Sequence, residues 1–292
     1  MTVTARIRPA GPYSLALTAR GATDATRVYR DGVLRAVVGD EQASAAQASD
    51  GSIVLRGSED AVERLRWLLA VDDDHSEFLR RFKHDRMLRG PIAQLRGMRV
   101  LRVGSVSQAL LRALCGQLIE SWRARALERR IIRSCCRSVG DLHKSPDHVV
   151  LAARAPAELR ALGLHARRGA TLVRLCRSLD LERLHEQPSH VVAQRLERER
   201  GLGPWSVGVV CLEGLGRHEY GLVGDLGLVK LAIALRGRWV EAHETAELLE
   251  PYGEWAGLAS VYLMSGFARG LVPVPDGARI RKPPHRISSR AA

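Results

Sequence analysis

Residues 190–216 read HVVAQRLERERGLGPWSVGVVCLEGLG. A polar helix is predicted from His190 to Arg200. Gly201-Leu202-Gly203-Pro204 then turns the chain, and a second helix opens at Trp205-Ser206 and runs through Val209, Val210 and Leu212. Two glycines one residue apart allow a tight turn and leave amide N–H groups unobstructed at a helix N-terminus, whose dipole attracts an anion. That geometry suits a phosphate. An ordinary turn between two helices fits the same residues, since Gly at a helix end and Pro in a first turn are commonplace. No Gly-x-Gly-x-x-Gly follows a strand here, which disfavours a dinucleotide site.

Twenty residues beyond Trp205, Val223-Gly224-Asp225-Leu226-Gly227-Leu228 opens an apolar helix predicted over Leu226 to Leu235. Asp225 stands at its N-cap position, and capping alone would account for it. Further out, helical periodicity punctuated by Gly and Pro dominates from Ser76 to about Arg269, so the body is mainly α. Residues 1–72 read differently. Tyr13, Leu15 and Leu17 alternate in a strand-like way, Val28 to Val38 carries an Asp31-Gly32 turn, and Ser58 can cap a helix from Glu59 to about Val71. They are expected to form a small N-terminal α+β domain. Residues 271–292 are basic and Pro-rich, with Pro273, Pro275, Pro283 and Pro284, and read as a mobile tail.

The 292-residue chain has 45 Lys and Arg against 32 Asp and Glu, a net charge of +13 that points to a polyanionic partner. The charge is clustered. Arg80 to Arg102 holds eight basic residues and one acid, and Trp122 to Arg137 six and one; some of these can be solvated helix faces. Aromatics make up only 4 % of the residues, which argues against a single-strand stacking platform and favours a duplex backbone. No run of eighteen apolar residues occurs and Met1 to Pro9 lacks an apolar signal segment, so no membrane association and a cytoplasmic location are expected. The five cysteines show no metal spacing and are expected to be buried free thiols, with no disulfide, no iron–sulfur cluster and no metal site. His165, His185 and His218 are scattered and read as surface residues.

Gly201-Leu202-Gly203-Pro204-Trp205-Ser206 followed at this spacing by Val223-Gly224-Asp225 resembles the helix-hairpin-helix DNA glycosylases. Residues 109–119 (ALLRALCGQLI) resemble the segment with which those proteins fill the gap left by a flipped base, and Leu162-Gly163-Leu164 with Arg167-Arg168 matches a further family turn. The likeness spans about Ser105 to Arg269, and the N-terminal unit is similar to that of the DNA-3-methyladenine glycosylase II (AlkA) type. The resemblance implies two helical subdomains within residues 73–270, one over 105–219 and one formed by 73–104 with 220–270. It implies that Gly201, Gly203 and the Ser206 hydroxyl hold the DNA backbone, that Leu118 enters the gap and that Gln117 touches the orphaned partner strand. Periodicity alone favours reading Leu118 as a core leucine of the Leu110 to Ile119 helix; only the resemblance gives it the wedge role.

Family members that also cleave the strand carry a lysine two residues after the second hairpin glycine, because an amine must form a Schiff base at the sugar. This chain has Trp205 there, and the four-cysteine cluster of the endonuclease III group is missing. The resemblance therefore implies a glycosylase that uses water and leaves an abasic site. Breaking an N-glycosidic bond builds positive charge on the sugar, which the Asp225 carboxylate would stabilise while orienting the attacking water. No general acid is evident, so the expected substrates are alkylated purines that already carry positive charge. Trp205 would attract such a base through its ring quadrupole, although it could instead be a core residue fixing the hairpin. Where the subgroup often has a second pocket tryptophan, this chain has Met264. The expected partner is damaged double-stranded DNA bound by a monomer; no cofactor is expected, beyond a monovalent cation of the kind the family hairpin can hold. Three other readings stay open: a non-catalytic hairpin protein that only grips DNA, a glycosylase with a different lesion preference, and a glycosylase-lyase using the N-terminus or Lys230.

Overall fold

The computed structural model describes residues 1–275; most of the Pro-rich tail, from residue 276 onward, lies outside the described residues. The N-terminal unit holds β1 (Val3–Ile7), α1 (Leu15–Ala19), β2 (Arg27–Arg30), β3 (Val33–Val38), β4 (Glu41–Gln47), β5 (Ile53–Gly57) and α2 (Glu59–Leu68). The strands form one antiparallel sheet in the order β1-β5-β4-β3-β2. Asp31 and Gly32 both take positive φ (50° and 78°), the backbone a two-residue hairpin needs to match the twist of β2 and β3. Ser58 caps α2 by accepting from the Ala61 N–H, and Ala61, Val62, Leu65 and Leu68 bury its sheet-facing side.

One expectation fails in this unit. Leu15 to Ala19 is a helical turn, not a strand: Ser14 caps it by accepting from Leu17 N–H, and Gln47 Oε1 accepts from Leu15 N–H. The buried residues are Leu15, Thr18 and Ala19, at helical spacing, which the short alternation of Tyr13, Leu15 and Leu17 concealed.

The body contains α3 (Ser76–Phe82), α4 (Arg89–Gln94), α5 (Val106–Gly116), α6 (Ser121–Cys135), α7 (His148–Ala152), α8 (Pro156–Ala161), α9 (Ala166–Ser178), α10 (Ser189–Glu197), α11 (Pro204–Val209), α12 (Leu226–Arg236), α13 (Thr245–Leu249) and α14 (Ala256–Phe267). A two-stranded ribbon, β6 (Ser138–Val139) with β7 (Leu142–His143), interrupts the expected all-helical pattern. After α11 the helix widens to a π-turn over Val210–Gly214. None of the helices is long and apolar enough to cross a membrane, among the described residues.

Buried side chains gather into three cores. The first belongs to the N-terminal unit, around Leu34, Ile53, Leu55 and Leu65. The second runs through α5, α6 and α9 to α11, and the third joins α3 and α4 to α12 and α14. Helix α5 lies between the last two, sending Leu110 and Leu114 to one and Ala113 to the other.

A buried ionic knot ties the N-terminal unit to this body. Arg112 on α5 donates to Asp24 (2.8 Å), Glu128 on α6 (2.9 Å) and Glu213 on the π-turn (2.5 Å), while Arg27 pairs with Asp24 at 3.0 Å. Burial would raise the Asp24 carboxyl, but Arg27 and Arg112 outweigh it and hold it well below the usual carboxylate range. The arginine clusters are correspondingly not all surface: Arg99 and Arg102 are buried, and Arg102 binds Asp73 at 2.5 Å.

Candidate active site

The glycine turn between α10 and α11 is built as a close-approach surface. Gly201 takes φ 98°, and a Cβ there would meet Thr171 Oγ1 at 2.7 Å, so both conformation and space require glycine. Gly203 is the N-cap of α11, and nothing lies within 4 Å of where its Cβ would be. The chain therefore offers an open backbone at the start of a helix whose first residue, Pro204, has no N–H to leave unpaired.

Behind the turn, the Gln117 side chain donates from Nε2 to the Gly201 carbonyl (2.9 Å) and to Ser206 Oγ (3.1 Å). Two expectations change here. Ser206 is only 2 % exposed, so its hydroxyl faces Gln117 rather than solvent, and of the expected backbone-holding residues only Gly201 and Gly203 remain open to approach. Gln117 in turn is committed to the hairpin with its N–H groups and does not present them to a partner strand.

Asp225 caps α12. Its Oδ1 accepts from the Gly227 N–H at 2.7 Å and its Oδ2 from the Trp205 indole N–H at 2.9 Å. The carboxylate is half-buried, with its orientation fixed by donors from two different elements. Trp205 is half-buried too; its outer edge lies over Gly116 at the end of α5, where a Cβ would come within 2.6 Å of Trp205 Cη2. Met264 on α14 completes the group, its Sδ 3.2 Å from where a Gly227 Cβ would lie. Trp205 thus bonds the Asp225 carboxylate, and Met264 on α14 and Asp225 Oδ1 both flank the Cβ position of Gly227. Lys230 is exposed on α12.

Helix α5 stops at Gly116, and Leu118 lies outside it with φ 57° and 97 % exposure. The core reading of this leucine is excluded. A β-unbranched apolar residue held at positive φ in open solvent is unusual on two counts, and both favour a part in binding. Sequence reasoning passed over Gly116, whose only signal is glycine where an indole must approach, and Trp122, an aromatic in an otherwise polar first turn of α6 that is 63 % exposed.

His165 and His185 are exposed, as expected, but His218 departs from expectation. His218 is largely buried and packs edge-on against His75, with ring centroids 4.8 Å apart. Their Nε2 atoms lie 3.8 Å (His218) and 4.0 Å (His75) from Asp73 Oδ2. That oxygen already accepts from Arg102 at 2.5 Å, so the one carboxylate charge is balanced before any cation arrives. Cys115, Cys176 and Cys211 are buried free thiols as expected, whereas Cys135 and Cys136 are half-buried, with their sulfurs 3.6 Å apart.

A small antiparallel α+β unit on two helical cores, with a glycine hairpin and an aspartate-capped helix, is a fold shared with solved DNA glycosylases. No family model matches the chain. It is 24 % identical over 216 residues to a DNA-3-methyladenine glycosylase of Bacillus subtilis (strain 168), covering 70 % of this chain and 71 % of that protein. The solved 3-methyladenine DNA-glycosylase from Archaeoglobus fulgidus has a TM-score of 0.79 at 21 % identity, over 91 % of this chain and 98 % of that one. The Clostridium acetobutylicum 8-oxoguanine glycosylase/lyase, solved with double-stranded DNA containing cytosine opposite 8-oxoG, has a TM-score of 0.74 at 14 % identity, over 92 % and 98 %.

Proposed function

We propose that the chain is a monofunctional DNA glycosylase that flips alkylated, cationic purines out of duplex DNA and hydrolyses their N-glycosidic bond, leaving an abasic site. The observation that carries this reading is the carboxylate of Asp225, half-exposed and aimed by two N–H donors beside a glycine hairpin. As the bond to the base lengthens, positive charge grows on the sugar, and a fixed anion nearby stabilises it without reorganising. Both carboxylate oxygens already accept hydrogen bonds, which suits an anion that stabilises charge and positions water rather than an acid that gives a proton. With no acid to protonate the leaving base, the substrate must already be a good leaving group, as a ring-alkylated purine is. Trp205 stands where a lyase would carry its amine, and an indole forms no imine. The relatives named for 3-methyladenine support the same substrate class.

In this account the hairpin backbone holds the damaged strand and Leu118 occupies the vacated stack, while Trp205 and Met264 line the base pocket. Flipping costs a few kcal/mol and is cheapest at weakened pairs. The test is incubation of the full chain with methylated duplex DNA, chromatography of the released bases, and borohydride treatment. Free methylpurine with no trapped adduct supports the proposal. Binding without release favours a DNA-gripping protein, and a trapped adduct favours a lyase.

A further inference from the structure

We infer that Trp122 is a further DNA contact of this chain, stacking on a base of the strand opposite the flipped nucleotide, beside the gap that Leu118 enters. The inference rests on the glycosylase reading for the identity of that gap. Gln117, the residue next to Leu118 on the hairpin side, has its N–H groups committed to Gly201 and Ser206. Past Leu118 the chain leads away from the hairpin residues into α6, which packs on α5, and the second residue of α6 is Trp122. Its indole is 63 % exposed, four residues from a leucine that is 97 % exposed. Single apolar residues on a surface are ordinary, but here two large ones lie on one short segment between α5 and the first turn of α6.

The ring is braced for that role. Its Nε1 donates to Glu120 Oε2 at 2.9 Å, the Arg123 guanidinium lies 5.1 Å from the ring centroid, and Arg123 also reaches Glu120 at 3.7 Å. An aromatic side chain held in one orientation loses little conformational freedom on binding. Charge identifies the occupant. Helix α6 carries Arg123, Arg125, Arg129, Arg130 and Arg133, and its one acid, Glu128, is buried in the knot with Arg112. The Glu120 carboxylate that braces the indole is paired with Arg123 and Arg125 turns to Glu128, while Arg129, Arg130 and Arg133 continue along α6 beyond the ring; an indole at the end of such a row of cations fits a polyanion with stackable bases. Stacking needs no particular base, because every base has a π-face.

The test uses the full chain and a duplex with a tetrahydrofuran abasic-site analogue, carrying 2-aminopurine in the opposite strand next to the gap or, separately, in the analogue's own strand. Trp122→Ala is expected to weaken binding about tenfold, the effect of losing one stacked base. It should also abolish the 2-aminopurine quenching seen with wild type in the opposite strand, with an unchanged thermal midpoint. Trp122→Phe should restore most of both. Unchanged affinity and quenching, or quenching confined to the analogue's own strand, would overturn the inference. Base release from methylated duplex, measured in parallel on wild type, separates the two proposals. Loss of the Trp122 effects with normal release sinks this one alone. Trp122-dependent quenching without release supports the contact and sinks the hydrolytic reading.

Discussion

The indole N–H of Trp205 points at Oδ2 of Asp225 across 2.9 Å, so a residue that cannot itself form an imine also orients the carboxylate proposed to do the hydrolysis. The two residues come from different helices twenty positions apart, and the bond joins the hairpin to the start of α12. Trp205→Phe keeps a ring against Gly116 but removes this donor. A hydrogen bond to a charged group contributes about 1.5–3 kcal/mol. The expected outcome is a loss of roughly ten- to a hundredfold in single-turnover base release, with duplex affinity nearly unchanged. Pre-steady-state quench measurements beside a binding titration will show whether the loss falls on chemistry or on binding.

Gly201 tests the hairpin. An Ala there must adopt φ near 98° and displace Thr171, a combination expected to destabilise the fold by about 1–3 kcal/mol. Gly201→Ala should therefore unfold at lower urea and bind undamaged duplex more weakly. Gly203→Ala, with open space around its Cβ, should keep its stability and lose only DNA affinity. Urea midpoints set against salt-dependent binding distinguish the two.

Leu118 makes the opposite prediction. With almost its whole side chain in solvent, Leu118→Ala should change stability by less than about 0.5 kcal/mol, yet weaken binding to an abasic-site analogue severalfold more than to intact duplex. A fold destabilised by 2 kcal/mol or more would mean the leucine is buried in solution.

Much of the fold was legible in the sequence because its periodicities are long. The α5 and α12 segments, the Ser58 cap and the Asp31-Gly32 turn all announce themselves locally. What stayed hidden depends on residues brought together from afar. Leu15 to Ala19 is too short for its period to show, and its capping partner Gln47 lies thirty-two residues away. Ser206 and Gln117 could be placed near the hairpin by likeness, but only the fold shows that they bond each other. His218 read as a surface residue because its neighbours, Asp73 and His75, lie some 140 residues earlier.

That histidine cluster gives stability a pH dependence. Burial, followed by the charges of Arg99, His218 and Arg102, pushes His75 down to about 2, so it stays neutral in the fold and takes up a proton only on unfolding. Below about pH 6.5 the unfolded chain binds the extra proton, and stability falls by about 1.4 kcal/mol per pH unit for this one group; above 6.5 the contribution is flat. His185 and His218 are lowered as well and add in the same direction. Carboxylates such as Asp24, also depressed in the fold, lose their contribution only nearer pH 4 and below. Urea midpoints at pH 7.5, 6 and 5 should decline, and His75→Phe should flatten the decline by one proton's worth. An equal slope in the variant would show that His75 is not buried and neutral.

The account's central claim is that the Asp225 carboxylate carries base release, and its isosteric replacement addresses it most directly. Single-turnover release of 3-methyladenine from methylated duplex by wild type and Asp225→Asn, each checked for duplex binding, should show a loss of at least a hundredfold in rate with affinity retained. Comparable rates from both proteins, or no release from either, would contradict it.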